Sequence, residues 1–158
     1  MRVRDAVSAD ASAICAIQNQ IIRDTTITFN SAEKTLQAVE KAIETADVYL
    51  ALELGGRVMG FATYGPFRTG TGYSTVKEHS ICLHPDACGA GHGALLLSAL
   101  ETRARAHGVA HMVAGISGEN PKAIAFHTSQ GYAQTGRMPC IGQKFGRALD
   151  LVLMQKSL

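Results

Sequence analysis

Residues 48–64 constrain the fold more than any other stretch, because two apolar, strand-forming runs, 48–54 and 58–64, flank the pair Gly55-Gly56. A two-residue connection of this kind needs positive φ, which glycine reaches without strain, and its twist matches that of two antiparallel strands. The pattern predicts a hairpin that Gly65-Pro66 ends. A lone hairpin is marginal in water, so flanking segments must add strands to it or cover it with helices.

Those segments are legible on both sides. Residues 2–6 alternate as a strand, Ser8 and Asp10 offer caps, and Ile14, Ile17 and Ile21 form the apolar stripe of a helix ending near Asp24. The run 25–29 is too β-branched to extend that helix, and Asn30 with Glu33 resembles a capping box for a second helix carrying Leu36, Val39 and Ile43. After the hairpin, residues 73–83 read as a strand that stops at His84-Pro85. Leu95, Leu96, Ala99 and Leu100 give a helical stripe that Gly108 can close. Residues 109–116 read as a buried strand, and Asn120-Pro121 as a cap with proline at the first helical position. Gly131 ends that helix before strands near 132–138 and 148–155. The order β-α-α-β-β-β-α-β-α-β-β implies one α/β domain over residues 1–158, a mixed sheet flanked by helices.

Composition narrows the function classes. Fifteen basic against thirteen acidic residues leave a formal charge of +2, too small and too scattered for nucleic-acid binding. The first ten residues hold no apolar core of a signal peptide and no stretch of 18 apolar residues occurs, so a cytoplasmic protein with no membrane partner is expected. Four cysteines without a C-x-x-C pair read as reduced thiols. Cys82, His84, Cys88 and His92 mix metal-ligand types, but their spacing fits no zinc pattern, so no metal is expected.

Between the strand ending near Leu83 and the next helix lies Cys88-Gly-Ala-Gly-His-Gly93. Backbone amides of Gly89, Ala90, Gly91, His92, Gly93 and Ala94 at a helix N-terminus can face a pyrophosphate with few side chains in the way. A Walker loop would need G-K-[ST], absent here, and a dinucleotide fold would place its glycines after the first strand. Glycine packing between strand and helix is the plainer alternative.

The position of this turn, with the element order, resembles the GNAT superfamily, whose [Q/R]-x-x-G-x-[G/A] motif holds the pyrophosphate of coenzyme A. Cys88 departs from it, standing where the family has Arg or Gln. T-V-K-E-H-S-I-C-L-H from Thr75, N-x-x-x-x-x-F-H-x-x-x-G-Y from Asn120 and K-F-G-R-x-x-D from Lys144 resemble the phosphinothricin and methionine sulfoximine acetyltransferase branch. Asn19 with Thr25 to Phe29 fits the same branch, so the likeness spans nearly the whole chain. It implies an acetyl-CoA-dependent N-acetyltransferase acting on a small-molecule amine, with a homodimer as the expected assembly. It also implies that Ile81, Cys82 and Leu83 pair with the pantetheine arm, that an amide near Leu83 polarises the thioester carbonyl, and that Asn120 touches the cofactor. His127 falls where relatives place a tyrosine that protonates the departing thiolate, although an exposed helix histidine would fit the same position.

Such transfer needs a neutral amine. An α-amine with a pKa near 8 is only about 10% neutral at pH 7, and deprotonation costs roughly 1–5 kcal/mol across the amine types. Glu78, a carboxylate interrupting a largely apolar strand, is the candidate base; an ordinary strand-edge acid is the alternative. Strand alternation turns its neighbour His79 to the other face. Phe29, Arg68 and Arg147 are candidate acceptor contacts, since an arginine fork grips a carboxylate at two points. Each could instead be a surface charge or a core ring. A protein N-terminal or lysine acetyltransferase, and a coenzyme A-binding sensor without catalysis, are the competing readings.

Overall fold

In the computed structural model, which describes residues 1–158, strand β1 (Arg2–Asp5) leads into helices α1 (Ala11–Asp24) and α2 (Leu36–Thr45). The hairpin β2 (Tyr49–Leu54) and β3 (Arg57–Pro66) follows, with Gly55 and Gly56 at φ of 55° and 78°. Then come β4 (Val76–Leu83), α3 (His92–Ala106), β5 (His111–Ser117), α4 (Pro121–Ser129), β6 (Ala133–Lys144) and β7 (Arg147–Ser157). One seven-stranded sheet runs β1-β2-β3-β4-β5-β7-β6. All neighbours are antiparallel except β4 and β5.

The two faces of the sheet bury separate sets of side chains. On one, Leu96, Leu97, Leu100 and Ala104 of α3 pack on Leu50, Leu52, Met112 and Val152. On the other, Ile14 and Ile17 of α1 and Val39 and Ile43 of α2 cover Tyr49 and Phe61. Burying each such side chain stabilises the fold by about 1.5–3 kcal/mol. No helix is long and apolar enough to cross a membrane.

Several local expectations are corrected. Asn30 does not cap α2; Thr35 does, its hydroxyl accepting the Ala38 N–H at 3.2 Å. The helix starts late because Asn19 pins the preceding loop to α1, its side chain bonding both the N–H and the carbonyl of Lys34 at 2.8 and 3.0 Å. Asp10 stands at the N-cap position of α1, but its side chain accepts no N–H of that helix. Its carboxylate takes the Val7 N–H at 2.9 Å and two Arg4 contacts at 2.6 and 2.9 Å, and the guanidinium holds it below the usual carboxylate range. β4 begins at Val76, not at residue 73, because residues 71–73 make a tight turn in which Tyr73 packs edge-on to Phe67. In α3 the buried stripe runs through Leu97, and Leu95 is exposed.

The last two strands are longer than the sequence suggests. They form an arm broken by an irregularity between Met138 and Gly142, where Cys140 sits at φ 54°. Asp150 bridges that bulge, accepting the Cys140 N–H at 2.9 Å and pairing with Arg137 at 2.7 Å.

Candidate active site

The sheet opens at its single parallel junction. β4 and β5 pair only from Val76–Glu78 to His111–Val113, after which residues 79–83 have no strand on that side. The gap becomes a cavity of about 700 Å³ lined by Ser80, Ile81, Cys82, Leu83, Gly115, Ile116 and the start of α4. Unpaired main-chain groups along a cleft suit a ligand that itself carries amides, as pantetheine does.

At one end of the cavity lies the glycine turn. Gly89 and Gly91 adopt φ of 85° and 78°, and both α positions face open space. Gly91 is the cap residue of α3, so the first helical amides lack intrahelical acceptors and are aimed outward. A side chain at Gly93 would press on Phe126 and Leu83 at 3.4 and 3.6 Å, which keeps α3, α4 and β4 close together there. Asn120 caps α4 by accepting the Ala123 N–H at 3.1 Å and also lines the cavity. This backbone cradle fits a pyrophosphate. Cys88, Gly89, Gly91, Gly93 and Ala94 line the cavity; Ala90 and His92 do not, and the His92 ring bonds the Ala87 carbonyl at 2.9 Å.

Glu78 faces the side of the sheet that α1 and α2 cover; it does not itself line the cavity, but its carboxyl lies against Gly115, which does. A Cβ at Gly115 would come within 2.8 Å of Oε1, so only glycine leaves room for this rotamer. Burial raises the Glu78 carboxyl above its ordinary value, toward that of a general base. Cys82 shares that face; burial pushes its thiol up to about 12, which keeps it neutral.

The opposite face holds His79 and His127. His127 is 4% exposed, so it is no surface histidine. His79 was assigned no role by its sequence position, yet both imidazoles line the cavity and their Nε2 atoms are 3.1 Å apart. Burial lowers His127 and takes His79 down to about 4. Gln18 of α1 also reaches the cavity, and its buried Oε1 has no partner. The signal for these residues is spatial: strand alternation gives a side, but not what stands there.

At the other end, the loop between α1 and α2 is tied to the β6–β7 arm. Lys144 is buried and donates from Nζ to the Thr28 carbonyl at 2.9 Å, and the Phe29 ring lies on Gly142 where any side chain would overlap it. Arg147 is fully engaged by Glu119 at 2.7 and 3.0 Å, and Glu119 also accepts from Thr26 at 3.1 Å. Its guanidinium therefore clamps the loop, and neither Arg147 nor Phe29 lines the cavity. Arg68 is exposed on the loop after β3, its side chain makes no hydrogen bond, and like Arg147 and Phe29 it does not line the cavity. His84 and His92 turn to local backbone groups, and no three His, Cys, Asp or Glu side chains come together as metal ligands.

Comparison with known proteins agrees with this geometry. The chain is 38% identical to an L-methionine sulfoximine/L-methionine sulfone acetyltransferase of Pseudomonas aeruginosa, over 99% of this chain and 94% of that one. Its fold matches that of a ribosomal-protein-alanine N-acetyltransferase of Brucella melitensis at a TM-score of 0.97, with 37% identity and full coverage of both chains. It matches a phosphinothricin acetyltransferase of Sinorhizobium meliloti, solved with acetyl-CoA, at 0.94, with 34% identity over 99% of this chain and 88% of that one. The signature of the Acetyltransferase (GNAT) family covers residues 15–132, which include the parallel junction, the glycine turn and both cavity histidines. The chain belongs to the GNAT family and is an acetyl-CoA-dependent N-acetyltransferase.

Proposed function

We propose that the acceptor is a small amino-acid analogue of the methionine sulfoximine, methionine sulfone or phosphinothricin type, and that Glu78 is the base that prepares its amine. The observation that carries the acceptor class is the fastening of the α1–α2 loop, whose Ile27 and Thr28 line the cavity, to the β6–β7 arm. Lys144 on Thr28, Phe29 on Gly142 and Arg147 on Glu119 fasten the α1–α2 loop to the arm, which favours a pocket over an open groove. A substrate carboxylate needs a free cation, and Arg68, whose fork is unengaged, suits that role better than Arg147.

Bound acetyl-CoA supplies an activated acetyl thioester. In this reading the cradle of residues 89–94 and Asn120 fix its pyrophosphate end, and the open edge of Ile81, Cys82 and Leu83 aligns the arm. Glu78 takes a proton from the acceptor ammonium, and the raised carboxyl makes that transfer less uphill. His127, which lines the same cavity, supplies the proton for the leaving sulfur in this reading.

We assign the protein to the cytoplasm and to a homodimer. β6 is an unpaired sheet edge, and Met138, Ile141 and Phe145 are exposed along it and its turn, a surface suited to a second copy. Sedimentation of the purified chain tests this, and a monomer at micromolar concentration rejects it.

The acceptor is tested by thiol release from acetyl-CoA with the three analogues and with peptides bearing free N-termini. Turnover on the analogues is expected. Turnover on alanine-starting peptides alone would favour the protein N-terminal reading suggested by the Brucella neighbour's name. Acetyl-CoA binding without turnover on any amine would favour a sensor.

A further inference from the structure

Three contacts fix the buried histidine pair. His79 Nδ1 faces the Val113 carbonyl at 3.0 Å, His127 Nδ1 faces the Ala123 carbonyl at 2.8 Å, and the two Nε2 atoms face each other at 3.1 Å. Carbonyls only accept, so each Nδ1 must carry a hydrogen. Two neutral imidazoles hold two hydrogens between them, and both are then committed to main-chain oxygens. The Nε2 contact would be lone pair against lone pair. A third hydrogen satisfies all three contacts.

We propose that His79 and His127 share one proton between their Nε2 atoms, and that His79 is a positioning residue holding this proton at the cavity wall for the sulfur of departing coenzyme A. This rests on the acetyl-transfer reading of the cavity. In the step, the Nε2–H bond breaks, an S–H bond forms on the thiolate, and the pair is left neutral. The acceptor ammonium loses two protons in becoming the amide, both through Glu78 to solvent. The pair regains one from solvent, so one proton is released per turnover and one ends on sulfur.

The surroundings assign the proton to one ring. Burial and the charge of His127 both lower His79, which is therefore the neutral acceptor. Burial works against a third hydrogen on either ring; on His127 the Ala123 carbonyl and the carboxylate of Glu101 on α3 oppose that effect, and it is the three short contacts that require the hydrogen. The other groups around the pair are Tyr132, whose ring centroid is 5.2 Å from His127 and 5.6 Å from His79, and Tyr64, opposite His79 on β3. Behind Tyr132, Lys156 of β7 and Arg105 of α3 are paired with Glu101 at 2.6 and 3.8 Å. Phe126 adds an apolar wall, and Glu78 lies on the other face of the sheet.

The test uses the ligand-free protein with ¹⁵N-labelled histidine. At pH 7 one strongly deshielded proton bridging two Nε2 atoms is expected, in addition to two Nδ1-bound protons. Two unprotonated Nε2 atoms at that pH would overturn the proposal, whatever the enzyme acetylates. His79→Gln can still donate to His127 Nε2 but cannot share a proton. It should lower kcat roughly 10- to 100-fold, leave the acetyl-CoA Kd within about twofold, and shift the basic limb of the kcat profile to lower pH. Unchanged kcat with an unmoved basic limb rejects the role. If the variant fails to fold, the wild-type spectrum decides alone, and if no amine is acetylated the spectrum still decides the pair while the acceptor reading fails.

Discussion

The two ends of the cavity are built from different materials. The end proposed for the cofactor is main chain: glycines at positive φ, the first amides of α3 and the open edge of β4. The end proposed for the acceptor is framed by side chains from segments far apart in sequence, joined by single contacts such as Lys144 to Thr28 and Arg147 to Glu119. A backbone site tolerates side-chain change, so Cys88 can replace the customary Arg or Gln. A side-chain site does not, because each contact is one hydrogen bond or one van der Waals overlap deep.

Four variants bear on this contrast. The largest effect is expected from Glu78→Gln, with kcat falling by about 10²- to 10⁴-fold and acetyl-CoA Kd unchanged, measured by thiol release and calorimetry. The pH profile carries the sign. The carboxyl is raised by burial and its anion is the active form, so wild-type activity climbs as pH rises through a value above the ordinary 4.5. The Gln variant should lack that limb; if it persists, another group is the base.

Next comes Gly115→Ala, which adds one methyl at the cavity wall and displaces the Glu78 carboxyl, the free end of a flexible side chain. It should cost about 10- to 100-fold in kcat with the melting temperature nearly unmoved. A large loss of stability would mean that the strand, and not the carboxyl, had shifted.

Arg147→Ala should raise acceptor KM several-fold while sparing acetyl-CoA binding, because it frees Glu119 and loosens the loop at Thr26. A fall in cofactor affinity instead would erase the distinction between the two ends. The smallest effect belongs to Cys88→Arg, which adds one exposed charge to a site already made of amides and should tighten acetyl-CoA by about fivefold at most. A gain of a hundredfold would show that side chains dominate the cradle.

The sequence alone determined what depends on neighbours along the chain. Gly55-Gly56 turned the hairpin, Asn120-Pro121 started α4, Gly108 followed the end of α3, and the glycine turn fell between β4 and α3. Each is a local choice of φ or a cap within a few residues. The same locality misled at Asn30, whose capping pattern lost to a long-range tether from Asn19, and at Asp10, whose carboxylate was claimed by Arg4. Tertiary structure decided the remainder. Only folding sets Glu78 against Gly115, occupies Arg147 with Glu119 and brings His79 to His127 across 48 positions. Strand alternation tells which face a side chain takes, but its partner there is chosen by how separate elements pack, a property no short window of sequence contains.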